Sequence, residues 1–368
     1  MFPKLRFKEF DGDWLKLKYK DVLTIKYGKD HKSLNDGDIP VYGTGGLMRH
    51  VNKYLYDGES ILIGRKGTID KPKYINEKFW TVDTLFYTEI EESIVPLFLY
   101  QHALEVNWLG LNEATGVPSL NTTSIYNIDI SIPSKEEQTK IVTFLSAVDE
   151  KISQLTQKHE LLSQYKQGMM QKLFSQQIRF RADDGSEFGE WASEKISKVF
   201  TNKSKSFNPL LNESLPCIEL EHLSQNTGQI LGTVNSSDQQ STKNLFEPNS
   251  VLYGKLRPYL RKFAKPQFKG VCSSEIWVLT GLKISNDYLF QFVQSEQFTE
   301  LTNIQSGSKM PRADWNVIAD SEIEFPCLEE QTKIANFLSA IDQKIEVVAE
   351  QIEQAKTWKK GLLQQMFV

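Results

Sequence analysis

Two stretches of the chain carry the same periodic pattern. From Ser134 to Phe174 there is no proline and one glycine, Gly168, near the end; from Cys327 to Phe367 proline is again absent and the one glycine is Gly361. Along the first stretch the seam positions step by four and three: Ile141, Leu145, Val148, Ile152, Leu155, then His159, Leu162, Lys166, Met169 and Leu173. The second steps in the same phase through Ile334, Leu338, Ile341, Ile345, Val348, Ile352, Ala355, Lys359, Leu362 and Met366. A repeat of 3.5 residues held over more than four heptads predicts a coiled coil. At 1.5 Å per residue, about 41 residues make a helix of roughly 60 Å. Ser134 with Glu137 three residues on predicts a capping box. A seam this narrow needs a partner helix, and each stretch is the obvious partner of the other. Lys166 and Lys359 fall in the seam at matching places. They either snorkel near a fraying end, set register or face a further subunit.

Elsewhere the pattern is mixed. SILIG, KFWTVDTLFYTEI, SVLYGKLR and VCSSEIWVLTG read as strands, and SIVPLFLYQHALE and SNDYLFQFVQSEQFTEL read as helices. NIDISIP and DSEIEFP read as strands leading into the long helices. Behind both patterns lies a duplication. EEQTKIVTFLSAVDEKI (136–152) and EEQTKIANFLSAIDQKI (329–345) agree at thirteen of seventeen positions, at an offset of 193. Fainter echoes extend upstream: Gly116 in ATGVPSL with Gly307 in QSGSKMP, ILIGRKG with VLYGKLR, and LRFKEFDGDW with IRFRADDGSEFGEW. The chain is two modules of about 185 residues, each a diverged globular part followed by a preserved helix. A helix that leaves the first part and delivers the chain to the second must be answered by one that runs back, so the helix pair is expected to be antiparallel. A parallel pair would ask residues 175–190, which reach about 55 Å when extended, to retrace the whole rod.

Composition narrows the classes. With 40% apolar and 24% charged residues the chain builds cores and is not disordered. No stretch approaches the 18 apolar residues of a membrane span, and the first residues hold no apolar signal core. Three scattered cysteines (Cys217, Cys272, Cys327) fit a reduced compartment, and a cytoplasmic location is expected. The formal net charge is −4, too acidic for a protein that coats nucleic acid without specificity. It is spread evenly, because residues 1–133 and 176–327 each hold 16 Lys and Arg against 18 Asp and Glu.

No P-loop, dinucleotide fingerprint, zinc-protease motif, metal spacing of the five histidines or Asn-Pro-Pro run is present, and neither module shows a catalytic constellation. Local basic runs do occur. Residues 252–274 hold Lys255, Arg257, Arg261, Lys262, Lys265 and Lys269 among Tyr259 and Phe263, with no acid. Residues 60–78 hold Arg65, Lys66, Lys71, Lys73 and Lys78 against Asp70 and Glu77, at the matching place. Basic side chains among aromatics and glycines suit a loop approaching phosphates and base edges. They also suit a solvated strand edge guarded by lysine.

Taken together, the P-x-x-E-E-Q-x-K-I helix starts, IPSKEEQTKIVTFLSAVDEKI, FPCLEEQTKIANFLSAIDQKI, GSKMPRADW (307–315) and VLYGKLRPYLRK (251–262) resemble the specificity subunit of type I restriction–modification systems, over essentially the whole chain. The resemblance implies an α/β (α+β) chain with pseudo-twofold internal duplication. Two mixed α/β target recognition domains, 1–133 and 176–326, would be separated by an antiparallel coiled coil of the spacer helices 134–175 and 327–368. Each domain would read half of a bipartite double-stranded DNA target. The chain would bind no cofactor and no metal and would catalyse nothing itself. It would dock two modification (methyltransferase) subunits using S-adenosylmethionine, joined by restriction subunits using ATP and Mg2+. Carried onto this sequence, the DNA-contacting candidates are Arg65, Lys66 and Lys71 in module one, and Lys255, Arg257, Tyr259, Arg261, Lys262, Lys309 and Arg312 in module two. Tyr259 either stacks on DNA or belongs to the core. Gly64, Gly116, Gly254 and Gly307 are expected to serve turns. Asp83 and Ser273 sit at matching places, as structural hydrogen-bonding groups or base readers. Ile141, Leu145, Val148, Ile152, Leu155, Leu162, Ile334, Leu338, Ile341, Ile345, Val348 and Ile352 form the expected coiled-coil interface. Glu136, Glu137, Gln138, Glu329, Glu330 and Gln331 either cap the helices or bind the modification subunit. Two rival readings stay open: a coiled-coil scaffold that never touches DNA, and a self-contained divergent methyltransferase or nuclease.

Overall fold

A computed structural model describes residues 3–303, 305–306 and 310–367. The candidates Gly307 and Lys309 lie outside the described residues. The chain divides into two compact units, Met1–Gln157 with Ala349–Val368, and Lys158–Val348, so each unit holds parts of both long helices. No helix of the described residues is long and apolar enough to cross a membrane.

Unit one is built on a six-stranded sheet in the order Leu23–Tyr27, Leu85–Ile90, Tyr56–Gly64, Lys73–Thr81, Ile39–Gly43, Gly46–Val51. All its neighbours are antiparallel except Ile39–Gly43 on Lys73–Thr81. In Leu23–Tyr27 the inward Leu23 and Ile25 alternate with Thr24, the two-residue period of a half-buried strand. A ribbon of Leu15–Lys18 on Asp129–Ile132 leads into the first long helix, Lys135–Phe174. Unit two carries a four-stranded sheet (Phe200–Thr201, Ile276–Gly281, Val251–Gly254, Phe263–Ala264) and a five-stranded sheet in which Pro216–Ile218 runs parallel to Gly270–Cys272. Its ribbon, Ala192–Lys195 on Glu322–Phe325, leads into the second long helix, Leu328–Met366.

Three sequence expectations change. KFWTVDTLFYTEI is two strands, Lys73–Thr81 and Leu85–Ile90, which lie on opposite sides of Tyr56–Gly64 and are separated by a turn in which Leu85 N donates to Val82 O at 3.0 Å. VCSSEIWVLTG likewise turns at 273–275, where Ile276 N donates to Ser273 O at 2.9 Å. Asp83 and the Ser-Ser-Glu run supply the turn-forming side chains. The helix read over SNDYLFQFVQSEQFTEL is two, Asn286–Phe292 and Glu296–Asn303, because Ser295 accepts from Phe298 N at 3.2 Å and starts a new helix.

The start of one long helix shares a core with the end of the other in both units, which is antiparallel pairing. In unit one Ile141, Leu145 and Val148 join Leu362, Leu363 and Met366 in the core under the sheet, with Ile152 half-buried against it. In unit two Met170 and Leu173 join Ile334, Leu338 and Ile341, with Ile345 half-buried against them. Leu155, Val348 and Ile352 are buried and Leu162 half-buried. The seam lysines neither fray nor snorkel. Lys359 Nζ lies 2.7 Å from Asp149 Oδ1 in unit one, and Lys166 Nζ lies 2.5 Å from Asp342 Oδ1 in unit two. Asp342 and Lys359 are Asp149 and Lys166 displaced by the repeat offset of 193, so the duplication has copied the pair.

The E-E-Q motif is mostly internal. Only half of the expected capping box forms: Glu137 N donates to Ser134 Oγ at 3.3 Å. The Glu137 carboxylate accepts instead from Arg6 at 2.7 and 2.8 Å, and Glu330 accepts from Arg179 at 3.1 and 2.7 Å. Gln138 bridges Val95 N and Pro133 O, and Gln331 bridges Ser285 N and Pro326 O. These four residues are buried, so only the exposed Glu136 and Glu329 of the motif face outward.

Candidate nucleic-acid interface

In each unit three loops that are far apart in sequence meet at the basic run, and the backbone hydrogen bonds that join them are the same. In unit one the strand Tyr56–Gly64 runs into the loop 65–72. Arg65 N donates to Thr84 O at 2.9 Å, Gly67 N to Pro118 O at 2.9 Å, and Leu120 N to Arg65 O at 2.9 Å. In unit two Lys255 N donates to Glu275 O at 2.9 Å, Arg257 N to Pro311 O at 2.8 Å, and Ala313 N to Lys255 O at 2.9 Å. The frame thus gathers ILIGRKG, the Asp83 turn and ATGVPSL in one unit. In the other it gathers VLYGKLRPYLRK, the Ser273 turn and MPRAD. Gly64 is required here, since a Cβ on it would stand 2.1 Å from Thr68 O, and on Gly254 it would stand 2.8 Å from Leu220 Cδ2. Gly116 faces open space, so no close approach demands glycine there.

The candidate side chains are not equivalent. In unit one Lys66, Lys71 and Asp83 are exposed. Arg65 donates from Nη1 to Asp83 O at 3.0 Å and lies 5.5 Å from the centroid of the Tyr27 ring. Tyr27 is half-exposed beside this cation, and the sequence reading did not single it out. In unit two Arg257 and Tyr259 are exposed and Lys255 is half-buried. Arg257 and Arg261 both take left-handed backbone, φ 52° and 47°, on either side of the 3-10 turn Pro258–Leu260. Positive φ at a non-glycine residue is uncommon and costs energy, so this turn, which holds Tyr259 outward, is maintained against strain.

Several cations of the acid-free run are already engaged. Lys262 Nζ donates to Leu220 O at 2.6 Å, and the Arg261 guanidinium donates to Gln294 O. Lys265 pairs with Asp287, and Lys269 pairs with Glu247 at 3.1 Å. Arg312 makes a two-pronged bond to Glu275 at 3.1 and 3.2 Å. Ser273 Oγ accepts from Glu275 N at 3.4 Å, a turn-closing role. What the frame leaves open to a polyanion among the described residues is Lys66 and Lys71 in unit one, and Lys255 and Arg257 in unit two.

Other sites fit a nucleic acid less well. A cleft of about 630 Å³ in unit one is lined by His102, Glu105, Asp129, Phe367 and neighbours, with no lysine or arginine. Burial pushes His102 down to about 4, so the imidazole is neutral at pH 7, and Nδ1 lies 2.9 Å from the Tyr19 hydroxyl. Among the described residues no group of three or more His, Cys, Asp or Glu could hold a metal ion.

Comparison with known proteins returns one family. Residues 11–164 and 190–357 each match the model of the type I restriction modification DNA specificity domain. The type I restriction enzyme EcoDI specificity subunit of Escherichia coli is 22% identical over 387 residues, covering 96% of this chain and 86% of that one. The MjaVIII specificity subunit of Methanocaldococcus jannaschii is 25% identical over 336 residues, covering 84% and 76%. A crystal structure of the S subunit of a type I system from M. genitalium matches the fold with a TM-score of 0.66 at 14% identity, covering 100% of this chain and 99% of that one.

Proposed function

The chain belongs to the type I restriction modification DNA specificity family, with two copies of the domain, and on that premise we propose that it selects the DNA target of a type I restriction–modification complex. Each unit reads one half of a split site, and the long helices act as the spacer between the half-sites. The observation that carries this reading is the repeated three-loop frame, which presents cations from the corresponding loop in both units. Lys66, Lys71, Lys255 and Arg257 meet phosphates, which positions the protein on the duplex without reading sequence. Arg261, Lys262 and Arg312 brace the loops that carry the readers. Catalysis comes from the partners: two modification subunits that use S-adenosylmethionine, and restriction subunits that use ATP and Mg2+. The expected site of action is the cytoplasm.

The test is charge reversal in the assembled complex. Lys255→Glu with Arg257→Glu abolishes target binding while the complex still assembles, and unchanged binding would leave the scaffold reading standing. The chain by itself methylates no DNA. Adenine methylation by the lone purified chain would favour the self-contained enzyme instead.

A further inference from the structure

The two units share the three-loop frame but differ in what stands beside it. In unit one the strands Ile39–Gly43 and Gly46–Val51 are joined by two residues, 44–45. In unit two the corresponding strand, Pro216–Ile218, pairs in parallel with its neighbour as Ile39–Gly43 does, but it reaches Val234–Asn235 only after the connection 219–233. Both connections press on the basic loop of their own unit. A Cβ on Gly67 would lie 3.4 Å from Thr44 Oγ1, and one on Gly46 would lie 3.4 Å from Lys73 Nζ. In unit two Lys262 donates to Leu220 O and Asn226 N donates to Arg261 O at 3.0 Å.

Apolar side chains stand out toward solvent in both places, on the strand that follows residues 44–45 in unit one and within 219–233 in unit two. Leu47 and Met48 are each 56% exposed, and Leu231 is 66% exposed. The Met48 thioether lies over Gly43, in the space that a Cβ on that residue would take. Exposed apolar groups beside a cationic loop suit one feature of duplex DNA in particular. Cations grip phosphates whatever the sequence, whereas an apolar side chain in the major groove meets the C5-methyl group that only thymine carries. A feature common to both units suits what the two half-sites have in common, and a feature that differs suits what distinguishes them.

We propose that these strand connections, together with the start of the strand Gly46–Val51, are the discriminating elements of the two readers, with Leu47 and Met48 contacting thymine methyl groups in one half-site and Leu231 doing so in the other. The inference rests on the DNA-reading function proposed above. The assembled complex first reveals its target through the adenines it methylates. Thymines of the target are then replaced one at a time by deoxyuridine, which removes the methyl group and keeps base pairing. Binding by the unaltered complex falls about fourfold for each methyl group contacted. The variant L47A/M48A becomes insensitive to deoxyuridine in one half-site and keeps its sensitivity in the other, and L231A does the reverse. An unaltered complex indifferent to every deoxyuridine, a half-site without thymine on either strand, or a variant that weakens all sequences equally overturns the assignment. The first two outcomes need no variant to fold. A complex with no sequence preference at all would overturn the DNA-reading function itself, and is distinct from each of these.

Discussion

Arg6 and Arg179 do the same work in the two units. Each lays its guanidinium on a buried carboxylate at the start of a long helix, Glu137 or Glu330, and each also donates to a glycine carbonyl, Gly12 or Gly189, at 2.7 Å. Nearby, Leu5 N donates to Gln365 O at 3.0 Å, as Ile178 N donates to Lys172 O at 3.2 Å. His102 and Phe292 contrast with this. Each contacts the ring at the end of a long helix in its unit, Phe367 or Phe174, but one is a titratable ring and the other is not. The duplication has kept the buried ionic joints and the hydrogen-bonded frame, and has let core rings and connecting loops drift. A buried carboxylate without its arginine is costly, whereas one aromatic ring replaces another at small cost. Selection on two different readers therefore acts where change is cheap.

The largest expected effect tests the shared joint. Arg6→Ala and Arg179→Ala each take the arginine from a buried carboxylate and should destabilise their own unit by about 3–5 kcal/mol, less in unit two, where Glu330 keeps the Trp191 Nε1 donor at 3.2 Å. Hydrogen exchange of peptides from the two units under mild urea reads each loss separately. Comparable losses uphold the equivalence of the joints, and a loss confined to one unit breaks it.

Next comes the contrast in pH response. An ordinary histidine titrates near 6.5, and burial holds His102 down at about 4. Between those values the unfolded chain binds a proton that the folded unit does not. Stability is therefore complete above about pH 6.5 and falls as pH drops toward 4, by about 3 kcal/mol in all. His102→Phe, which installs the ring type found in unit two, should flatten this loss in unit one while costing the Tyr19 hydrogen bond at neutral pH. Protection of unit two peptides should not change between wild type and variant. A pH response that persists in the variant would assign the loss to other groups.

What the sequence made legible follows from what is periodic or repeated. The long helices, their seam and their antiparallel sense came from a heptad pattern and chain continuity. The matching place of the basic loops came from the repeat. The Arg6 and Arg179 joints were within reach too, since LRF and IRF echo each other, but their partners lie 131 and 151 residues away and a capping box explained Glu137 more simply. The two pairs of strands read as single strands were hidden because neither the 82–84 break in KFWTVDTLFYTEI nor the 273–275 break in VCSSEIWVLTG holds a glycine, proline or asparagine to mark it. The acid-free run misled for a spatial reason: Asp287 and Glu247, which pair Lys265 and Lys269, lie outside the sequence window that contains them. Charge along a chain is not charge on a surface.

The smallest and sharpest difference lies between two cations of one loop. Among the described residues no acceptor holds the exposed Arg257 guanidinium, whereas the Lys262 ammonium is already bonded to Leu220 O at 2.6 Å. A side chain that neutralises a phosphate releases counterions, and removing it lowers the slope of log K against log salt by about one. Arg257→Ala in the assembled complex should lower that slope and weaken all sequences alike. Lys262→Ala should leave the slope alone, because its charge is committed within the fold, and should instead loosen the 219–233 connection that it anchors. The two variants remove the same formal charge from positions five residues apart. Only a difference in slope separates a phosphate contact from a brace, and equal slopes would mean that the Lys262 anchor opens when DNA arrives.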